Sequence, residues 1–472
     1  MESISPILND RLSTPLYLQL YGYIRNAVLA GDIQPGEKLP SLRKAAKDLR
    51  LSVTTVEQAY SQLAVEGYIS SRPQSGYYAS SIPQENRQDF TKGRGTEEIP
   101  VNPFEINKYS LSYLDDESLK NTYFDPACFD FTKWKKCVNR VLNDYSDFLL
   151  VEGDPRGEAP LRYEISKYIY QARGVRCQPD QIVIGAGTQQ LMGLLCTLLS
   201  RMGIEYAAFE EPGYLPVREI FRDRGFKMTA VPLDKDGILI ERLPANIKSA
   251  AYVSPSNQFP TGAVMPVARC YDLLDWAKQN ESVIIEDDYN SELRYLGKAS
   301  PSLQGLGDNR SVVYLGSFSS TLFPSIKISY VVLPLPMMEL FSDMLGVYTQ
   351  TCSKMEQLTL ALYMEKGAYQ TNIKRLRSLY AQKMQLATAC LKKRLKGRVS
   401  VLSNSSGLHM LLSLALPPGH TPQSFCRLAR ERRLPLAPVF SDNQGHAKLI
   451  FYYTRIPLEE MEMAIEDFSH CF

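Results

Sequence analysis

SLRKAAKDLRLSVTTVEQAYSQLAVEGYISSRPQSGYYA, residues 41–79, reads as two short helices, a tight turn and a two-stranded ribbon. Ser41 precedes Leu42, Ala45, Ala46 and Leu49, so it caps a helix whose inner face those residues form. Ser52 opens a second helix with Val56, Tyr60 and Leu63 inward, and Gly67 stops it. Tyr68-Ile69-Ser70 and Gly76-Tyr77-Tyr78-Ala79 flank a turn at Pro73 and Gly76, the pattern of a β-wing. Upstream, Leu16, Leu20, Ile24 and Val28 recur at helical spacing. Thr14 is expected to cap that helix, Pro15 to fit its first turn and Gly31 to end it. Pro35-Gly36 then makes a turn.

Residues 11–80 thus predict an α+β winged helix-turn-helix, a unit that lays its third helix in the major groove of double-stranded DNA. Thr54, Thr55, Gln58 and Ser61 point outward there and can reach base edges or phosphates, as can Ser52 at its start. Ser41, Arg43 and Lys44 open the preceding helix, where backbone N–H groups and positive charge favour phosphate. A merely solvated polar face would read the same way. Residues 11–80 carry eight Lys or Arg against five acids, and four of the eight fall between Arg43 and Arg50. Charge is therefore concentrated even though the whole chain is only +2.

The chain of 472 residues is too long for one ordinary core. Its 44% hydrophobic and 22% charged content is that of a soluble globular protein. No run approaches the roughly 18 apolar residues of a membrane span, and the first ten residues lack a signal-peptide pattern. A cytoplasmic location is expected. Nine scattered cysteines with no CxxC pair, and four unpaired histidines, argue against a disulfide scaffold or a metal site.

Residues 81–105 are rich in Ser, Pro, Gln, Asn and charge and read as a flexible linker. Residues 106–472 alternate longer helices with short apolar runs at 182–184, 250–253, 283–285 and 312–315, as central strands of a mostly parallel sheet do. Sites in such sheets sit just past the strand ends. There stand Gly185-Ala186-Gly187-Thr188-Gln189, suited to an anion at a helix N-terminus, and Glu210-Glu211-Pro212-Gly213-Tyr214, with an aromatic able to stack on a planar ring. Asn257 follows a third strand, and Glu286-Asp287-Asp288-Tyr289 ends a fourth. Singly, Tyr214 could be core and Asp287 a helix cap; four such ends in this order point to one site.

Residues 15–79, with PG-x-KLPS-x-R, TV-x-x-AY-x-x-L-x-x-EGY and the SGYY wing, resemble the GntR-family reader head. That family usually has an arginine where Val53 stands, so a DNA contact is expected to be missing. RGVRCQPDQIVIGAGTQQLM, FEEPGYLPVREIF, SPSNQFPTGAVMPVARC, IIEDDYNSELRY and YLGSFSSTLFPSIKISYVVLP extend the resemblance to regulators of the MocR/GabR type. These fuse that head to a fold-type-I, pyridoxal phosphate-dependent transferase-like α/β/α domain. The resemblance implies that Gly187, Thr188, Gln189 and Ser317 approach the cofactor phosphate and that Tyr214 stacks on its ring. By the same resemblance Asn257 and Tyr289 contact its phenolic oxygen, Asp287 its ring nitrogen, and Arg455 in YYTRIPLEE grips an amino-acid carboxylate.

Two departures stand at the centre of that likeness. Ser320 occupies the position of the Schiff-base lysine, and Lys327 that of the phosphate-binding arginine. Serine has no amine to form a Schiff base or to move a proton between carbons. Lys327 offers phosphate a point charge without the bidentate fork. The serine is either natural or a substitution made to trap a ligand; the separate change at Lys327 favours natural drift. Leu215-Pro216 follow Tyr214 where the GABA-responsive member has arginines, so GABA is not the expected effector. The resulting expectation is a transcription regulator sensing an amino acid, pyridoxal phosphate held at most non-covalently, or both. It acts on operator DNA as a homodimer, swapped head-to-tail as in relatives. The alternatives are a pyridoxal phosphate-dependent aminotransferase and a cofactor-free metabolite sensor.

Overall fold

The computed structural model describes residue 8 and residues 15–72, 75–81, 125–288, 290–294, 301–307, 310–403, 407–432, 434–441 and 446–472. The chain divides into two compact units, residues 1–109 and 110–472. The expected linker, apart from residue 81, lies outside the described residues, as do residues 106–124.

In the first unit, helices α1 (Leu16–Ala30), α2 (Leu42–Leu49) and α3 (Val53–Val65) precede the antiparallel strands β1 (Ile69–Arg72) and β2 (Gly76–Ala79). Ser41 Oγ accepts from the Lys44 N–H at 3.3 Å and Ser52 Oγ from the Thr55 N–H at 3.1 Å, so both expected caps form. The start of α1 differs from expectation. Pro15 itself holds the cap position, with no side-chain cap; its carbonyl accepts from Leu18 and Gln19 N–H, and Thr14 lies outside the described residues. Gly31 ends α1 at φ 85°, a left-handed turn that glycine adopts without strain. Leu20, Ile24, Val56, Tyr60 and Leu63 are wholly buried. Tyr60 meets Tyr77 edge-on at 5.1 Å and donates its hydroxyl to the Pro40 carbonyl at 3.1 Å, fastening α3 to the wing and to the loop before α2.

The second unit is built on β3 (Ile182–Gly185), β4 (Tyr206–Glu211), β5 (Lys227–Asp234), β6 (Gly237–Ile238), β7 (Ser249–Val253), β8 (Val283–Asp287), β9 (Val312–Ser317) and β10 (Ser329–Val332). Their order across the sheet is β3-β10-β9-β8-β7-β4-β5-β6. The pairings β5-β4-β7-β8-β9 are all parallel; β10 runs against both neighbours and β6 against β5. All four strands read from apolar runs are present, buried on both faces as parallel strands are. The sequence reading missed a second sheet. β11 (Val399–Ser403), β12 (Met410–Ala415), β13 (Leu436–Ser441) and β14 (His446–Phe451) form an antiparallel sheet in the order β11-β12-β14-β13. The 27-residue helix Ala368–Arg394 leads into it.

The core around Leu63 is composed of side chains from the first unit alone. Leu63→Ala should therefore cost that unit about 3 kcal/mol. Hydrogen exchange should show faster opening in residues 16–79 and unchanged protection of β8. Loss of protection in β8 would mean the two cores do not open separately.

Candidate functional site

The outward face of α3 carries the expected DNA-reading side chains. Thr54, Gln58 and Ser61 line an open groove with Tyr17 and Glu57. Thr55 Oγ1 is 2.7 Å from Ser52 Oγ, so these two hydroxyls serve the cap as well as the face. Arg43 and Lys44 are exposed on the first turn of α2, and Val53 is exposed at the first position of α3. The sequence reading identified the wing but named no contact residue on it. There the Arg72 guanidinium lies 4.3 Å from the Tyr78 ring centre, Lys38 Nζ lies 5.8 Å from it, and Ser75 is hydrogen-bonded to the phenol. That hydrogen bond, chiefly, lowers the Tyr78 pKa. Arg72 and Tyr78 share the hairpin, whereas Lys38 is remote in sequence and the Lys38–Tyr78 bridge brings it to them.

The second site forms at the ends of β3, β9, β4, β7 and β8. Ser329 in β10 pairs with Gly185 on one side and Ser317 on the other, which sets those two strand ends in register. Ser317 Oγ accepts from Ser329 Oγ at 2.9 Å. Gly187, at φ 91°, begins the helix Thr188–Arg201, so backbone N–H groups of its first turn open toward this corner. A Cβ on Gly187 would stand 3.9 Å from Lys327 Cδ, which places the lysine stem along the same loop. Thr188 and Ser317 are half-buried, whereas Gln189 and Lys327 are exposed. Ser320 is half-buried in the turn after β9.

Of the three acids ending β8, only Asp287 faces this site. Successive strand residues point to opposite faces, and Glu286 and Asp288 point the other way. Glu286 accepts the Leu303 and Gln304 N–H groups at 2.9 and 3.0 Å, while Asp288 pairs with Arg173 at 3.0 Å. Asp287 accepts the Tyr252 hydroxyl, and burial raises its pKa to about 6. It is therefore mainly a carboxylate at neutral pH. Tyr214 is 38% exposed, and its pKa is raised by burial and then by the Asp287 charge. Asn257 is buried, and a Cβ on Gly407 would come within 2.8 Å of its Nδ2. Tyr289 lies outside the described residues.

Arg455 ends the short helical turn Tyr453–Arg455 and is exposed. A row of rings connects it to Tyr214. The Arg455 guanidinium is 4.7 Å from the Tyr452 ring, Tyr452 is 5.9 Å from His409, His409 5.4 Å from Phe259, and Phe259 6.0 Å from Tyr214. Arg218, the nearest arginine after Tyr214, pairs with Glu211. Glu210 was named only as part of a motif. It is buried, accepts from Gln258 Nε2 at 3.2 Å, and among the described residues its Oε1 has no hydrogen-bond partner.

This donor set fits a phosphorylated pyridine: backbone N–H groups, Ser317 and Lys327 for phosphate, a Tyr214 face for the ring, and the Asp287 carboxylate for a protonated ring nitrogen. It does not fit covalent attachment at Ser320. Among the described residues no group of His, Cys, Asp and Glu could hold a metal, and no helix is long and apolar enough to cross a membrane.

A winged helix-turn-helix joined to an aminotransferase-type sheet defines the class of protein. Residues 16–78 match the bacterial regulatory proteins of the gntR family, and residues 121–432 match aminotransferase class I and II. The chain is 38% identical over 445 residues to the uncharacterized HTH-type transcriptional regulator YdeL of Bacillus subtilis, covering 94% of this chain and 93% of that protein. It is 31% identical over 389 residues to the HTH-type pyridoxine biosynthesis transcriptional regulator PdxR of Corynebacterium glutamicum, covering 80% and 79%. An archaeal alanine:glyoxylate aminotransferase shares the fold of 79% of this chain and 95% of its own, with a TM-score of 0.65 at 20% identity. The chain belongs to the family of HTH-type transcriptional regulators that join a GntR-type head to a class I and II aminotransferase domain.

Burial raises the Glu210 pKa from 4.5 to about 8, so the folded state holds this proton more tightly than the unfolded chain. Its contribution to stability is full below 4.5 and is lost as pH rises through 8. Glu210→Gln should flatten the fall in melting temperature across that window. A variant whose melting curve follows the parent's at every pH would remove Glu210 as the cause.

Proposed function

We propose that the second unit is a sensor and not a catalyst: it binds pyridoxal phosphate non-covalently together with an amino-acid-like ligand and so regulates DNA binding by the head. The observation that carries this reading is Ser320, a residue with no amine, in a site that still has Tyr214, Asn257, Asp287 and Arg455 and a cation, Lys327, at the phosphate corner. When bound, the cofactor supplies an aldehyde that captures amines and a phosphate that anchors it. Gly187, Thr188, Gln189, Ser317 and Lys327 would hold the phosphate, and Tyr214 the ring face. Asp287, ionised at neutral pH, would keep the ring nitrogen protonated, and Asn257 and Tyr289 would orient the phenolic oxygen. Arg455 would take the ligand carboxylate. Ser41, Arg43, Lys44, Ser52, Thr54, Thr55, Gln58 and Ser61 would contact the operator.

Regulation requires the ligand to bind two arrangements of the protein with different affinity. A homodimer active in the cytoplasm, with heads swapped between subunits, would supply two half-site readers. Phe148, Leu150 and Val151, exposed together on the second unit, support a second copy covering them.

Titration with pyridoxal phosphate followed by borohydride and peptide mapping tests the reading. The parent should bind saturably and retain no cofactor on any lysine. Ser320→Lys should gain one reducible adduct, on residue 320. An adduct on a lysine of the parent would overturn the non-covalent reading, and absence of saturable binding would favour a cofactor-free sensor.

A further inference from the structure

Lys383 is a lysine with no exposed side-chain surface, in the middle of the long helix Ala368–Arg394. Taking an ammonium out of water is costly unless its donors are satisfied. Two groups from distant parts of the chain satisfy it. Lys383 Nζ pairs with the Asp125 carboxylate and donates to the Thr454 carbonyl at 2.8 Å. Thr454 immediately precedes Arg455. Asp125 caps the short helical turn Pro126–Cys128. Its other carboxylate oxygen accepts the Ala127 N–H at 2.7 Å, and Arg375, two turns earlier on the helix, donates to the Ala127 and Cys128 carbonyls.

The same helix also holds the opposite side of the site. Asn372 Nδ2 donates to the Thr321 carbonyl at 2.7 Å, beside Ser320, and Tyr369 is 3.0 Å from the Thr321 hydroxyl. On the Arg455 side, the Thr454 hydroxyl donates to the Leu408 carbonyl at 2.8 Å and the Tyr453 hydroxyl to Gly407 at 3.4 Å. Gly407 is pressed against Asn257. One hydrogen-bonded path therefore runs from Asp125 through Lys383 to the backbone that carries Arg455, and on to the Leu408 and Gly407 carbonyls.

We propose that Lys383 is a positioning residue for Arg455, and that the Asp125–Lys383–Thr454 joint holds the backbone that carries the carboxylate grip. This rests on Arg455 being the carboxylate contact. The chemistry follows from the geometry. An exposed arginine on a single helical turn has little to orient it except its ring neighbour and its backbone. The carbonyl before it is fixed by a buried cation that cannot move without abandoning Asp125. A ligand that pulls on Arg455 thus works against, or with, the position of Asp125.

The test uses the full chain and two probes, N-phosphopyridoxyl-L-alanine and pyridoxamine phosphate, which differ in the carboxylate-bearing arm. The variants are Arg455→Gln, the paired Asp125→Asn/Lys383→Met, which leaves no buried charge unpartnered, and the triple. The parent should bind the carboxylate probe about tenfold more tightly than pyridoxamine phosphate. The paired variant should lose that margin while keeping its affinity for pyridoxamine phosphate. The triple should lose no more than Arg455→Gln alone, the non-additivity expected of residues acting through one contact. If the paired variant does not fold, Asp125→Asn alone, which keeps the acceptor for Ala127, must narrow the margin in the same direction. A paired variant that keeps the margin, or that weakens both probes equally, overturns the joint. A parent with no margin overturns the carboxylate reading of Arg455 itself, and the joint with it.

Discussion

Arg173 and Asp288 are both buried, and the polar groups around them decide where the strand ends of the second unit can lie. Arg173 Nε donates to Asp288 at 3.0 Å and its guanidinium also reaches Ser256; Ser256 and Ser291 donate to the same carboxylate at 2.9 and 2.7 Å, as does Tyr314. These residues come from a helix, the loop after β7, the end of β8, the turn beyond it and the middle of β9. A buried ion pair is tolerated when its remaining donors and acceptors are met in this way, and it tolerates no substitution of one partner alone. Because Asp288 is held on one face, strand alternation turns Asp287 to the other, toward Tyr214. The orientation of the Asp287 carboxylate is thus a consequence of the Arg173–Asp288 pair on the opposite face of the strand.

How far the sequence could be read follows from the range of the interactions involved. The head was legible almost in full because its signals are local: Ser41 and Ser52 each cap the helix that they begin, and Val56, Tyr60 and Leu63 repeat at helical spacing. Thr14 misled because Pro15 can hold the cap position with its backbone alone. In the second unit the strands β3, β7, β8 and β9 were legible from short apolar runs bounded by Gly, Ser or Asp. The β11–β14 sheet was not: β11 is half-exposed and β13 is bulged, so neither presents a clean run. Family resemblance singled out Asp287, but nothing local in the sequence sets Glu286 and Asp288 apart, because their partners, Leu303, Gln304 and Arg173, are remote in sequence. Lys383 gave no signal, since its partners lie 258 and 71 residues away.

The charge state of the site is set by burial more than by pairing. Glu210 and Asp287 both have raised pKa values, to about 8 and about 6, yet they play different electrostatic roles at neutral pH. Glu210 keeps its proton and ties the end of β4 to Gln258, which also donates to the Pro212 and Phe259 carbonyls and accepts from Thr261. Asp287 loses its proton but gains the Tyr252 hydroxyl. Burial thus leaves Glu210 uncharged and Asp287 as the negative charge on its side of the sheet at neutral pH.

In the proposed reading, loss of a catalytic amine and retention of a binding site are separable because they place different demands on the fold. Proton transfer between carbons needs one mobile base at one position, which Ser320 cannot supply. Binding needs a helix N-terminus, a ring face, a carboxylate and a guanidinium, each fixed by its own strand end or turn. Substitution at position 320 disturbs none of those supports: Ser329 still sets Ser317 beside Gly185, Arg173 still orients the end of β8, and Lys383 still holds the backbone before Arg455. A site built this way can give up turnover and keep recognition. Recognition without turnover is what a regulator requires, since a ligand consumed at its sensor cannot report its own concentration at equilibrium.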